Sequence, residues 1–189
     1  MSLTSKEAAE TLSDVERASR RSAQAFGYSK ASPHLILWGL IWVVGYSATD
    51  LYPQFANFIW GGLIVIGTLA AFLIGKANAS RDTANVAKGP AIGLRLFGSV
   101  ALILVFMGAT YAIMGPIHGL QPAAFPALLI GTIYCGVGLW GALRFLVVGV
   151  LVIALTLFGY FALSEHFLLW MAFVGGGALI LAGFWFRQV

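Results

Sequence analysis

The positions of the lysine and arginine residues constrain this chain more than any other feature. All eleven fall in basic segments, and stretches without either residue lie between those segments. The basic segments are 1–32, 76–95, the turn at Arg144 and the end at Arg187. Short cytoplasmic loops of membrane proteins collect Lys and Arg, whereas translocated loops lose them. The alternation therefore predicts an even number of membrane crossings, with both termini in the cytoplasm.

Apolar runs of suitable length lie between these segments. A helix needs about 20 apolar residues to cross the hydrocarbon core. The predicted spans are 33–51, 55–75, 94–114, 123–143, 145–163 and 167–186. The fourth and fifth are nearly continuous, so Arg144 indicates a tight hairpin over 140–145, with Gly141 at its turn. The predicted fold is an all-α integral membrane protein of the bacterial inner membrane, built from three inside-out-inside hairpins.

The composition agrees with this fold and argues against a nucleic-acid-binding protein. Apolar residues make up 60% of the chain and charged residues only 10%, whereas a soluble domain carries about 25% charged residues. The net charge of +4 is typical of a membrane protein whose cytoplasmic loops face anionic lipid. Outside the predicted spans, no basic run is interleaved with aromatic residues. We therefore expect the lipid bilayer as a partner and no direct contact with nucleic acid.

The interiors of the predicted spans hold no Asp, Glu, Lys, Arg or His. Ion-coupled transporters, proton pumps and voltage sensors depend on such groups inside the membrane. Haem and retinal proteins need buried histidine or lysine, and enzymes need a nucleophile or acid–base pair that converges on one site. The sequence therefore predicts a non-enzymatic protein without a cofactor or a metal.

Small residues recur at helical spacing within the spans. Three pairs of small residues four positions apart each lie on one helix face: Gly108 and Ala112, Gly131 and Cys135, and Ala172 and Gly176. Residues 175–177 are three consecutive glycines. Small residues let helix backbones approach closely in membranes. The sequence leaves open whether these contacts lie within one chain or between the copies of a homo-oligomer.

Three tyrosines and three threonines lie at similar depth in the outer halves of the outward-going spans. They are Tyr46, Thr49, Thr110, Tyr111, Thr156 and Tyr160. A hydroxyl in hydrocarbon costs free energy unless it finds a partner. One interpretation is an outward-opening pocket for a lipid or a small apolar ligand. The alternative is a belt of tyrosines at the membrane interface.

The predicted outer loops carry a polar cluster without a permanent cation. Its members are Asp50, His118, Glu165 and His166. Two imidazoles and two carboxylates are suitable zinc ligands, and histidine also titrates near neutral pH. The residues follow no metal-binding spacing, so solvated loop residues are the simpler interpretation and no metal site is predicted.

Residues 1–30 are expected to form a cytoplasmic amphipathic helix, separate from a membrane bundle over 31–189. Gly27 is the expected end of this helix, and Ser32 and Pro33 are the expected start of the first span. The helix carries a thin apolar stripe and a basic end; the candidate partner-docking residues are Leu12, Val15, Arg17, Arg20, Arg21 and Phe26. Such a helix either lies on the bilayer or docks a cytosolic protein or a second copy of the chain through residues 5–26.

A chargeless bundle joined to a structured arm favours a sensor or scaffold. We expect it to bind an apolar ligand or a membrane partner and to signal through the N-terminal helix. The alternative is a small transporter or flippase-like protein for a neutral or lipophilic molecule, which could work without ion coupling.

Overall fold

The computed structural model of the protein describes residues 5–81, 89–115, 119–140 and 142–188, and every secondary-structure element among them is helical. The predicted all-α class is confirmed. The helices are α1 (Ser5–Leu51), α2 (Ala56–Arg81), α3 (Gly89–Met114), α4 (Gln121–Leu139), α5 (Leu143–Ala162), α6 (Phe167–Trp170) and α7 (Gly176–Arg187). A π-helical turn, Met171–Gly175, joins α6 to α7, and short 3₁₀ turns occupy Pro53–Phe55 and Ser164–His166.

Several of these helices have the length and apolar character needed to cross a membrane. Within the described residues, five segments qualify: Thr11–Leu51, Pro53–Asn78, Gln121–Leu139, Leu143–Ala162 and Ser164–Arg187. The remaining predicted span, 94–114, is also helical and lies within α3. Its described apolar stretch, Leu102–Met114, is shorter than a full crossing.

Large apolar side chains cover much of the outer surface of these helices. Phe58 on α2 is 81% exposed and Leu102 on α3 is 70% exposed, and similar residues occur along α5. A protein surrounded by water rarely exposes apolar surface of this extent. The exterior therefore suits contact with hydrocarbon or with another apolar surface.

The first helix differs from the sequence prediction. α1 is one helix of 47 residues, about 70 Å long at 1.5 Å per residue. The predicted helix end at Gly27 and the predicted N-cap at Ser32 are both wrong. Pro33 lies inside the helix, where it removes the hydrogen bond to the Ser29 carbonyl and its ring crowds that carbonyl. The expected boundary between an arm over 1–30 and the bundle thus falls in the middle of one helix.

Burial along one face explains why α1 continues through these local stop signals. Residues of this face are buried at alternating spacings of four and three: Tyr28, Ser32, Leu35, Gly39, Trp42, Tyr46 and Thr49. This repeat is typical of helices that pack with a small crossing angle over several turns. Tertiary packing of such a face contributes more to helix stability than the local propensity of a glycine or proline.

The main partner of this face is α7, which packs against α1 in the antiparallel direction. A Cβ atom on Gly39 would lie 2.8 Å from the Gly176 carbonyl oxygen, and one on Gly176 would lie 2.9 Å from the Gly39 carbonyl oxygen. Near the other end, a Cβ on Gly183 would lie 3.0 Å from the Ser32 carbonyl oxygen. The two backbones are therefore in contact, as small-residue packing allows. We call these contacts the α1–α7 seam.

The predicted hairpin between the fourth and fifth spans is confirmed, because α4 ends at Leu139 and α5 begins at Leu143; Gly141 lies outside the described residues. A Cβ on Gly149 would lie 2.6 Å from the Cys135 backbone nitrogen and 2.6 Å from the Gly131 carbonyl oxygen. The Gly131 and Cys135 pair thus packs within the chain. A Cβ on Gly108 would meet no described atom within 4 Å.

The α1–α7 seam predicts opposite effects for two adjacent glycines. Gly176→Ala should destabilise the protein by about 1–3 kcal/mol, because its methyl group would overlap the Gly39 backbone. Gly177→Ala is the matched control: a Cβ there meets nothing within 4 Å, and alanine is the better helix former. Thermal unfolding in detergent should give a lower Tm for the first variant only. Equal Tm values for the two variants would contradict the seam.

Candidate functional site

Two of the three outer tyrosines meet at the start of α4. Tyr46 is buried, and its hydroxyl donates to the Ala123 carbonyl at 2.8 Å. The Tyr111 hydroxyl donates to the adjacent Pro122 carbonyl at 3.1 Å. These bonds attach α1 and α3 to the same turn of α4. The two hydroxyls therefore already have backbone partners without any ligand.

Pro126 explains why one of these carbonyls needs a donor. In an α-helix the Pro122 carbonyl would accept the N–H of residue 126, but proline has none. A buried or membrane-embedded carbonyl without a partner costs free energy, and the Tyr111 hydroxyl supplies the missing donor. The Ala123 carbonyl has two lone pairs, so it can accept both the N–H of Ala127 and the Tyr46 hydroxyl.

Tyr160 has different neighbours from the other two tyrosines. Its ring centroid lies 5.2 Å from that of Phe161 and 6.0 Å from that of Phe167. Phe167 belongs to the buried core. A pocket shared by all three tyrosines stays a prediction, and the contacts of Tyr160 give it no direct support.

The three threonines of the predicted pocket bond to their own helices. Thr49 donates to the Gly45 carbonyl at 2.7 Å, Thr110 to Phe106 at 2.8 Å and Thr156 to Val152 at 2.7 Å. Threonine commonly makes this bond to the carbonyl four residues earlier. These hydroxyls are therefore satisfied within the helices and do not require a ligand as a hydrogen-bond partner.

The predicted outer polar cluster is spread over helix ends. Glu165 and His166 are exposed in the 3₁₀ turn before α6, and Asp50 is half-buried in the last turn of α1. His118 lies outside the described residues. Among the residues that were described, no group of three or more His, Cys, Asp or Glu side chains is close enough to hold a metal ion.

Two grooves stand out on the described surface, and neither is lined by the three tyrosines Tyr46, Tyr111 and Tyr160. The smaller, of about 380 Å³, is apolar and lies between α3 and α4. The larger, of about 730 Å³, lies at the opposite end of the bundle, between α1, α5 and α7. We call it the inner-end groove, because it lies at the end that the sequence predicts to be cytoplasmic. Its lining residues are Arg21, Ser22, Gln24, Ala25, Tyr28, Leu143, Arg144, Val147 and Trp185.

Arg144 is held firmly at the wall of the inner-end groove. Its Nη1 donates to the Trp185 carbonyl at 2.7 Å. Its guanidinium carbon lies 4.8 Å from the centroid of the Trp185 ring and 5.3 Å from that of the Tyr28 ring, which are cation–π distances. Trp185 lies in the last turn of α7, where helix carbonyls attract positive charge. One arginine thus joins α5 to α7.

Tyr28 joins the same two helices to α1. Its hydroxyl accepts the Arg144 backbone N–H at 3.3 Å, in the first turn of α5, where backbone N–H groups lack partners within the helix. Its ring centroid lies 5.0 Å from that of Phe186 and 5.9 Å from that of Phe145. Tyr28 is therefore a structural contact of three helices rather than part of a detached arm.

Ser32 completes this arrangement one turn further along α1. The fully buried hydroxyl donates to the Gly183 carbonyl at 2.7 Å and accepts the Arg187 Nε–H at 3.1 Å. We call Tyr28, Ser32, Arg144, Trp185 and Arg187 the inner-end node. The sequence predicted only local roles for Ser32 and Arg144, and it did not single out Tyr28. The heptad position of Tyr28, four residues before Ser32, is the signal that could have identified it.

The candidate docking stripe lies on a different side of α1. Leu12 and Val15 are 63% and 60% exposed, and Phe26 is 48% exposed. At 100° per residue, this stripe points about 160° away from the buried face that begins at Tyr28. Arg17 pairs with the exposed Asp14 at 3.4 Å, a contact that contributes little. Arg21 lines the inner-end groove, and the Arg20 side chain is not among those described.

Comparison with known proteins yields no match: no family model, no curated protein and no solved structure matches the chain. The two ends of the bundle differ. At the start of α4, the Tyr46 and Tyr111 hydroxyls bond to backbone carbonyls. The opposite end combines an open groove with the charge of Arg21 and Arg144.

The hydrogen bond of Tyr111 predicts that Tyr111→Phe and Pro126→Ala have non-additive effects on stability. Tyr111→Phe should cost about 0.5–1.5 kcal/mol of stability, since it leaves the Pro122 carbonyl without a donor. In a Pro126→Ala background the new N–H can bond to that carbonyl, so the same substitution should cost almost nothing. The measurement is a double-mutant cycle of unfolding free energies in detergent.

Tyr46→Phe is the matched control for this cycle, because its hydroxyl bonds to Ala123. Its cost should be the same in both backgrounds. A Tyr111→Phe cost that does not change with residue 126 would show that the phenol is not the donor that replaces the proline.

Proposed function

We propose that the protein is a non-enzymatic scaffold or sensor of the bacterial inner membrane. In this proposal it spans the membrane six times, has both termini in the cytoplasm and signals to a partner through the N-terminal part of α1. The observation that carries the proposal is the continuity of α1 from Ser5 to Leu51. One helix supplies both the buried face of the bundle and the exposed arm.

The length of α1 supports a role as a lever. Of its length of about 70 Å, the hydrocarbon core would take about 30 Å, and residues 5–27 would extend about 35 Å beyond the buried Tyr28. Because Gly39 and Gly176 are in backbone contact, α1 cannot shift relative to α7 without repacking the seam. A change of tilt in the bundle would then move the arm as one piece.

The exposed stripe on the arm supports protein docking over adsorption to the bilayer. A helix that continues the first span along its own axis leads away from the membrane surface, whereas an adsorbed helix lies in the plane of the interface. Leu12 and Val15 are anchors with the spacing that an apolar groove on a cytosolic protein recognises. A second copy of the chain presents the same stripe and is the other candidate partner.

The contacts of Tyr46 favour a scaffold or sensor over a transporter. A transporter for a lipophilic molecule needs a path that opens to both ends of the bundle. Tyr46 fills the interior between α1 and α4 and bonds to the backbone, and the glycines of the α1–α7 seam leave no space between those helices. The transporter or flippase alternative would place its path along the apolar groove between α3 and α4.

The topology predicts which positions are accessible from outside the cell. With Cys135 replaced by serine, single cysteines at Ser5 and Gln188 should resist a membrane-impermeant thiol reagent in intact cells. A cysteine at Ser164, in the exposed turn before α6, should react and serves as the positive control. Labelling at either terminus would reject the proposed orientation.

If α1 acts as a lever, its exposed N-terminal part should contact a partner only while that part is helical. A photo-crosslinker at Leu12 or Val15 should trap one discrete protein, either a cytosolic partner or a second copy of the chain. The same crosslinker at Arg17, on another face, should trap much less. Ser19→Pro, which interrupts the helix, should abolish the crosslink, while Ser19→Ala should retain it. Crosslinks that go to lipid would instead support an arm lying on the membrane.

A further inference from the structure

We infer that the inner-end groove binds the phosphate headgroup of an anionic phospholipid. The inference rests on the proposed placement of the protein in a membrane, but not on the signalling role of the arm. Its basis is the combination of two arginines, a fixed aromatic wall and an apolar surface that continues along α5.

The groove brings positive charge from two helices to one open space. Arg21 comes from α1 and Arg144 from the start of α5, and none of the described residues that line the groove is acidic. Basic pockets between helices at the cytoplasmic side are the usual recognition sites for anionic headgroups. A zwitterionic headgroup would bring a cation to a groove whose described lining offers it no carboxylate.

Arg144 is prepared for a phosphate because its guanidinium is already oriented. The bond to the Trp185 carbonyl engages one of five N–H donors, so the remaining donors can bind phosphate oxygens. Guanidinium groups bind phosphate through two parallel hydrogen bonds. Holding the side chain in place before binding lowers the entropic cost of that contact.

Arg21 lines the same groove as Arg144, from the side of α1. It is seven residues before Tyr28, so it repeats the phase of the buried face about 10 Å further out. The face that packs against α7 inside the bundle therefore becomes the charged wall of the groove outside it. Ala25 lies between Arg21 and Tyr28 in the sequence and also lines the groove, where its small side chain leaves space.

The apolar part of the groove argues for a lipid rather than a free anion. Leu143 and Val147 line it and remain exposed, and Val150 and Leu151 continue this exposed surface along α5. An acyl chain could follow these residues while the headgroup stays between the arginines. Trp185 lies where the charged part of the groove meets its apolar part. Tryptophan favours such positions at membrane interfaces.

The test is native mass spectrometry of the full-length protein in mild detergent, titrated with phosphatidylglycerol or phosphatidylcholine of the same chain length. We expect stronger binding of phosphatidylglycerol. Arg21→Gln and Arg144→Gln should each weaken it by about tenfold or more, as expected for the loss of a charged hydrogen bond. Arg17→Gln is the matched control: it removes the same charge one turn away, from a residue that does not line the groove.

Further variants and a competitor distinguish headgroup binding from a general charge effect and from binding of a free anion. Arg144→Lys retains the charge but not the paired donors and should give an intermediate loss, while Arg21→Gln tests the groove without altering a bond of the inner-end node. Equal binding of both lipids, equal effects of Arg17→Gln and Arg21→Gln, or displacement of the lipid by millimolar inorganic phosphate would each overturn the inference. Membrane placement is tested separately: extraction of the protein by alkaline carbonate would refute that placement, whatever the groove binds.

Discussion

The contact between the backbones of α1 and α7 is the constraint on which the rest of the structure depends. Gly39 and Gly176 let the two helices approach to contact distance, and the bonds of Ser32 in the inner-end node depend on that approach. Ser32 can reach the Gly183 carbonyl only because the helices are so close. The end of α7 is then positioned so that Trp185 offers its carbonyl to Arg144.

At both ends of the bundle, side chains form hydrogen bonds with backbone groups that have no partner within their own helix. Backbone groups at helix ends or next to proline lack intrahelical partners, and hydrocarbon offers none. At the outer end, Tyr111 donates to the carbonyl that Pro126 leaves unpaired. At the inner end, Tyr28 accepts a free N–H of α5 and Arg144 donates to the last turn of α7. Aromatic and charged side chains thus hold helices together through the backbone.

The sequence predicted the features that depend on local composition and missed those that depend on distant contacts. Apolar length and the basic turn at Arg144 were sufficient to place the helices and the hairpin after Leu139. The continuity of α1 was missed because Gly27 and Ser32 resemble helix ends, and only the packing against α7 outweighs those signals. The bond between Tyr28 and Arg144 joins residues 116 positions apart, which no local pattern reveals. Depth in the predicted spans grouped Tyr46, Tyr111 and Tyr160, but only the bonds to α4 distinguish Tyr46 and Tyr111 from Tyr160.

The two candidate interaction surfaces lie on opposite sides of the same helix, and this arrangement determines how they could influence each other. Arg21 faces the groove, whereas Leu12 and Val15 face away from it, so a lipid and a protein partner could be bound at once. Coupling between the sites requires that each binds one position of α1 better than another. A headgroup held by both Arg21 and Arg144 would link the arm to α5 and restrict the tilt of α1. A partner on the stripe that prefers this restricted tilt would bind more tightly when the groove is occupied, without any direct contact with the lipid.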